Sequence, residues 1–430
     1  MTRILIRGGR VLDPSCDRDE TIDLLLDEGR VASLGKDLRV DDADVVDASG
    51  CWVAPGFVDL HSHLREPGQE YKEDIASGGR SAVSGGFTAV ACMANTQPVN
   101  DDPATTDFII DRARQDSPAR VYPVAAATKG LEGRVMTEMA ALVDAGAVAF
   151  SDDGKTIMDG GVMRHVLEYS RLVGVPIITH AEDRTLVAGG VMNEGAVSTR
   201  LGLPGNPGIA EDVLVARDLI LAEFAQAHLH VAHVSTRGAV ELIRKARDRG
   251  VHVTAEVAPH HLTLTDEAVS GYDTHAKVAP PLRSELDRAA CRAGLCDGTL
   301  DAIATDHAPH AQHEKELDFV EAPPGMIGFE TAAAVTLELV RAGELTPLEW
   351  VRRLSTNPVR ILARPGGSLA EGQVADVTVI DPEHAWVYDP AKGYSKSRNS
   401  PWTGHALTGR VLATFVDGRC VYDLARGPLR

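Results

Sequence analysis

The sequence predicts an α/β protein: a (β/α)8 TIM-like barrel with a small β-sandwich domain formed from both chain termini. Three observations lead there. Through the middle of the 430-residue chain, short apolar or β-branched runs alternate with helix-like stretches. Both ends are instead rich in short strands and turn residues. Polar side chains with chemical potential gather where the middle strands stop, which is the end of a barrel that carries active sites.

Residues 1–54 supply the N-terminal part of the β domain, with short strands at 4–6, 10–12, 22–26, 30–34 and 44–47 punctuated by Gly, Asp and Pro. Residues 55–365 supply the barrel. Its strands are 57–60, 88–92, 121–125, 147–150, 176–179, 229–232, 252–255 and 302–304. Helices at 102–114, 136–145, 161–172, 209–225, 239–249 and 285–296 lie between most of them. A doubly wound open sheet accepts the same alternation, so the pattern alone does not choose. Residues 366–430 complete the β domain. The run 375–381 alternates into Pro382, and 409–416 with 419–422 flank Asp417-Gly418 as a hairpin.

Composition narrows the function. The chain is 44% hydrophobic and 24% charged, as ordinary globular proteins are. A net charge of -19 argues against a nucleic-acid surface or an anionic-membrane partner, so an anionic substrate must be held by a few placed basic groups. The opening MTRILIR lacks a secretory apolar region, and no apolar run is long enough to span a bilayer. The six cysteines are dispersed without C-x-x-C spacing, which suits free thiols in a reducing cytoplasm. The expectation is a cytoplasmic enzyme acting on a small molecule, with no nucleic acid and no membrane.

The strand ends carry the chemistry. Strand one stops at His61 and His63, whose two-residue spacing turns both rings to the same side. Strand four stops at Asp152-Asp153, strand five at His180, strand six at His233 and strand eight at Asp306. Alone, His180 or His233 suits a hydrogen-bonded core histidine, and Asp306 a helix N-cap. Successive strand ends bearing all of them point to a divalent metal, Zn²⁺ suiting the imidazole and carboxylate donors.

These residues resemble the amidohydrolase superfamily. DLHSHLREPG (59–68), ACMANTQP (91–98), FSDDGK (150–155), ITHAED (178–183), AHVST (232–236), ATDHAPH (304–310) and APPGMIGFET (322–331) resemble the dihydroorotases of the longer bacterial type. The resemblance implies two Zn²⁺ per subunit: one held by His61, His63 and Asp306, a second by His180 and His233, with Asp153 bridging. The choice of Asp153 over Asp152 rests on the resemblance. It also implies reversible cyclisation of N-carbamoyl-L-aspartate to L-dihydroorotate in pyrimidine (UMP) biosynthesis, with a metal-bridging hydroxide as nucleophile and Asp306 as catalytic proton shuttle. His63, Arg65, Asn95, Ala279, His310, Pro324 and Gly325 would bind substrate, Arg65, Asn95 and His310 taking its carboxylate. Ala279 stands where asparagine is common in the family, which leaves only backbone contacts there. A homo-oligomer such as a dimer is expected, as is association with aspartate transcarbamoylase.

Other residues near these motifs receive plainer expectations. His260 and His261 either orient ligands or serve structure, and His307 points away from the mouth. The polar stretch 311–322 is expected to close over substrate. The competing functions are another cyclic amidohydrolase (dihydropyrimidinase, hydantoinase or allantoinase) and a non-catalytic scaffold for aspartate transcarbamoylase. Asp153 in place of a carboxylated lysine, together with Arg65 and Asn95, weighs against the first. Retention of all six ligand positions weighs against the second.

Overall fold

The structure, a computed structural model, describes residues 3–429. Eight parallel strands form one sheet in sequential order: β1 (Phe57–Ser62), β2 (Phe87–Cys92), β3 (Arg120–Ala125), β4 (Ala149–Phe150), β5 (Ile177–Thr179), β6 (Leu229–Val231), β7 (Val253–Val257) and β8 (Ala302–Ile303). The first and last strands then meet. Ser62 bridges His307 in parallel, His63 N donates to His307 O at 2.9 Å, and Thr305 donates its N–H and Oγ1 to Asp59 at 2.7 Å each. The sheet is therefore a nearly closed barrel, and the open-sheet alternative is excluded.

Helices α1 (Ile75–Ser84), α2 (Pro103–Asp116), α3 (Met139–Ala145), α4 (Gly160–Val173), α5 (Ile209–Ala225), α6 (Arg237–Asp248), α7 (Glu285–Asp297) and α8 (Phe329–Arg341) surround it. Several open on a side chain that accepts an otherwise unpaired backbone N–H: Asp74, Asp102, Asp159, Thr236 and Ser284. At the N-terminal end of the barrel, Phe57 meets Phe87 and Trp350 edge-on, with ring centroids at 5.8 and 5.4 Å. Ser355 and Asn357 tie the following turns to Gly56 O and Asp301 O at 2.7 Å each. This packing fills that end of the barrel and leaves the other for chemistry.

The two chain ends build a nine-stranded sheet. Trp52–Pro55 is its junction, parallel to Arg3–Asp13 and antiparallel to Val377–Val387. The sheet curls on itself: Val31 N donates to Gln373 O and Ala375 N to Gly29 O, both at 2.9 Å. The curl encloses Ile6, Leu24, Leu26, Val31, Val377 and Phe415, so its two layers belong to one hydrogen-bonded sheet. Runs 4–6 and 10–12 are also one strand, Arg3–Asp13, with an irregularity between Ile6 and Gly9. Gly8, at φ +71°, donates to Asp23 Oδ1 at 2.8 Å, and a Cβ on Gly9 would lie 2.4 Å from Val53. The glycines make a bulge rather than a turn. Asp417 and Gly418, at φ 49° and 70°, do form the expected tight hairpin.

Candidate active site

Beyond the C-terminal ends of the strands, six buried side chains converge on one point. Asp153 is the hub. Its carboxylate lies 3.3 Å from His61 Nε2, 3.6 Å from His63 Nε2, 3.5 Å from His180 Nδ1 and 3.7 Å from His233 Nε2. Asp306 Oδ1 is 3.2 Å from His63 Nε2 and 3.8 Å from His61 Nε2. His233 and Asp306 sit at φ 32° and 46°, unusual for side-chain-bearing residues, and these bends aim both groups inward. Asp152 instead accepts from Thr128 N at 2.9 Å and from its hydroxyl, while Lys155 is exposed.

The donors fit a metal. Ligand atoms of His61, Asp153 and His233 lie within 4.8 Å of one another, as do those of His61, His63 and Asp306. His61 Nε2 and Asp153 Oδ1 are fully buried with no hydrogen-bond partner, although each faces the other donors. Buried polar atoms are rarely left so, and a bound cation would satisfy them.

Three of the four imidazoles are steered from behind. His61 Nδ1 meets Glu256 Oε1 at 2.9 Å, and Glu256 Oε2 meets His230 Nε2 at 3.0 Å, whose Nδ1 meets Thr254 Oγ1 at 2.8 Å. His63 Nδ1–H donates to Asn95 Oδ1 at 2.9 Å. His180 Nε2 meets Glu182 Oε2 at 3.1 Å, and Glu182 Oε1 accepts from Asn206 at 2.7 Å. Each bond fixes which ring nitrogen faces the cluster. His233 has no such partner, its Nδ1 being buried and unbonded. Glu256 and His230 reach the cluster through His61, although the motifs did not flag them. Their one signal is an acid inside an apolar strand, VTAEVA, where a lone carboxylate would be costly to bury.

Electrostatics follow the geometry. Burial pushes the Asp306 carboxyl up, but the imidazoles of His63, His61 and His233 outweigh it and hold it well below the usual range. Burial likewise opposes ionised Glu256, yet His230 and His61 bring it down to about 2. His260, buried at the end of β7, is lowered by burial to about 4, and His261 Nε2 donates to Pro280 O at 3.1 Å. His307 turns away, its ring stacked 4.0 Å from Phe329.

A second group adjoins the cluster. Arg65 is buried, with Nε 3.2 Å from Pro309 O and a terminal nitrogen 3.5 Å from His310 Nε2. Among the described residues, no carboxylate lies within 4.0 Å of its guanidinium. His310 Nε2–H donates to Pro324 O at 2.9 Å, and burial with nearby Arg65 and Lys72 holds the ring neutral, lowered to about 2. Gly325 N donates to Lys277 O at 2.8 Å, and a Cβ there would lie 2.8 Å from Ala308. Ala279 is half-buried two residues beyond Lys277. The stretch 311–322 is strapped down by buried lysines. Lys315 Nζ donates to Pro323 O at 2.8 Å, and Lys277 Nζ to Phe319 O at 2.7 Å.

Known proteins are similar to this chain in sequence and fold. The family described as Dihydro-orotase-like matches residues 50–239. A protein named dihydroorotase from Syntrophotalea carbinolica is 54% identical over 423 residues, covering 98% of this chain and 100% of that one. The chain belongs to the dihydroorotase family. Another protein of that name, from Syntrophus aciditrophicus, is 52% identical over 98% of this chain and 99% of its own. Among solved structures, the L-hydantoinase (dihydropyrimidinase) of Arthrobacter aurescens superposes with a TM-score of 0.89 at 25% identity, covering 98% of this chain and 96% of that chain. The dihydropyrimidinase of Brevibacillus agri gives 0.86 at 24%, covering 97% and 95%. These structures share the barrel and terminal sheet of the dihydroorotase-family chain. Among the described residues, no helix is long and apolar enough to cross a membrane.

Proposed function

We propose that the chain is a zinc-dependent dihydroorotase, interconverting N-carbamoyl-L-aspartate and L-dihydroorotate in pyrimidine biosynthesis. The observation that carries this reading is the buried guanidinium of Arg65 beside the metal-ligand cluster with no carboxylate of its own. A metal site alone would suit any cyclic amide. An unpaired buried cation next to it calls for an anionic group on the substrate.

In this reading His61, His63 and Asp306 would hold one zinc, and His180 and His233 would hold a second, with the Asp153 carboxylate shared between the two sets. Zinc bound there would supply Lewis acidity to the amide carbonyl and lower the pKa of water toward ~7. The protein's residues do the rest. Arg65 orients the substrate carboxylate, and Asn95, whose Oδ1 is engaged by His63, offers its amide N–H to the same group. His310 backs Arg65, and the Pro324 carbonyl accepts from the ring amide, with Gly325 and Ala279 giving backbone its close approach. Asp306 carries the proton between water and the ring nitrogen on its carboxylate. The division at 54/55 and 365/366, a cytoplasmic setting, a homodimer and association with aspartate transcarbamoylase complete the proposal.

The test is turnover of dihydroorotate, dihydrouracil and hydantoin by purified enzyme, with Arg65→Lys alongside. Dihydroorotate should be the substrate, and Arg65→Lys should raise KM by ~10-fold or more, because one ammonium cannot replace the bidentate fork. Hydrolysis of hydantoin or dihydrouracil without hydrolysis of dihydroorotate would overturn the assignment.

A further inference from the structure

Between the terminal-sheet strands Val377–Val387 and Ala406–Val416, the chain leaves its own sheet and crosses to the barrel mouth. The crossing is anchored along its length. Ser395 Oγ and Lys396 N donate to the buried carboxylate of Glu73, and Ser397 Oγ donates to Lys72 O at 2.7 Å. Next comes Asn399, only 2% exposed in a stretch with neither strand nor helix. An amide is buried this deeply when its hydrogen bonds are made, and the destination of those bonds is informative.

Asn399 Nδ2 donates to Ala308 O and to Gly325 O, both at 3.0 Å. Its Oδ1 accepts from His310 N at 3.2 Å, and its main-chain O accepts from Ile327 N at 2.9 Å. One side chain of the terminal domain thus ties together the two loops, 308–310 and 324–327, that the proposed function gives to substrate. Pro309 sits between the two residues held in the first loop, and its carbonyl accepts from Arg65 Nε at 3.2 Å. Loss of the amide would therefore loosen the support of Arg65 and His310 together. Asp306 has other anchors. Its neighbour Thr305 donates to Asp59 at 2.7 Å, and His307 O accepts from His63 N at 2.9 Å. Substrate binding depends on Asn399, and the metal-ligand cluster does not.

We propose that Asn399 is a positioning residue for the substrate carboxylate, acting from the terminal domain through Pro309 and His310 on Arg65. The inference rests on the proposed function for its substrate and adds to that site a residue from outside the barrel.

Dihydroorotate kinetics of full-length Asn399→Asp and Asn399→Ala test it, with metal content measured in each. The Asp variant keeps the shape and the acceptor for His310 N, but sets an oxygen where two N–H groups were donated. Either variant should raise KM by ~10-fold or more while kcat changes by less than ~3-fold, because binding is lost and the reacting groups stay in place. If the side chain only filled space, the isosteric Asp variant would match the wild type. In an Arg65→Lys background, Asn399→Ala should raise KM by less than ~3-fold further, since both changes damage one subsite. Hydrogen exchange of the unaltered enzyme adds a test that needs no variant to fold. The His310 and Ile327 amides, both bonded to Asn399, should show protection equal within ~10-fold, as one opening frees both. A wild type that leaves dihydroorotate unturned would overturn the proposed function itself. With an active wild type, four results would each overturn the role of Asn399 alone. They are an unchanged KM in Asn399→Asp, additive losses with Arg65→Lys, metal lost from folded variants, and independent opening of the two amides.

Discussion

The two halves of the proposed metal site are built differently. In the half formed by His61, His63 and Asp306, both imidazoles are held from behind, His61 by Glu256 and His63 by Asn95, while Thr305 beside Asp306 is bonded to Asp59. In the half formed by His180 and His233, only His180 has such a hold, from Glu182. His233 relies on a strained backbone with its rear nitrogen unbonded. Holding a ligand in place before the ion arrives removes part of the ordering cost of binding. In the proposed site one half would thus be a pre-set claw and the other a looser grip, with Asp153 shared.

Variants can break or sharpen this contrast. The largest effect is expected from Asp306→Asn, which should lower kcat by ~10²–10⁴-fold at matched metal content. A variant that kept both its zinc and its rate would remove Asp306 from proton transfer. Next comes Glu256→Gln, which should weaken metal binding by ~10–100-fold in competition with a chelator. Asn95→Ala should sit at the lower end, ~10-fold, since a neutral amide steers an imidazole less firmly than a carboxylate. Smallest is a kinetic difference in the unaltered enzyme. Dialysis against chelator should release metal in two phases, and Glu256→Gln should bring the phases together. A single phase in the wild type would mean that the halves hold metal equally.

Much of this was legible in the residues because it is local. Strand β2 begins one residue from its expected start and α5 spans its expected 209–225, since a period of 3.6 or 2 is written into adjacent side chains. Five of the cluster residues and the pair Asp152-Asp153 were legible because they stand at strand ends, and barrel topology brings strand ends together, whereas the choice of Asp153 within the pair came from the family resemblance. Glu256 and His230 were not, because their meaning lies in a partner across the barrel. Glu256 and His61 are 195 positions apart, and only closure of the sheet makes them neighbours. Arg3–Asp13 failed for the opposite reason. Gly8-Gly9 has the local mark of a turn, and the space left by Val53 makes it a bulge. The strapping of 311–322 was hidden too, since a lysine's reach to a backbone carbonyl leaves no periodic trace.

The seam between Asp59 and Thr305 joins positions 246 residues apart, and Asp306 is the next residue after it. The tighter half of the metal site therefore does not exist until the last barrel strand has left the ribosome and docked against the first. In the proposed metal site, a chain without its last barrel strand would offer His61 and His63 without Asp306. Loading of metal would then follow completed synthesis, because the strand end that carries the Asp306 carboxylate arrives last.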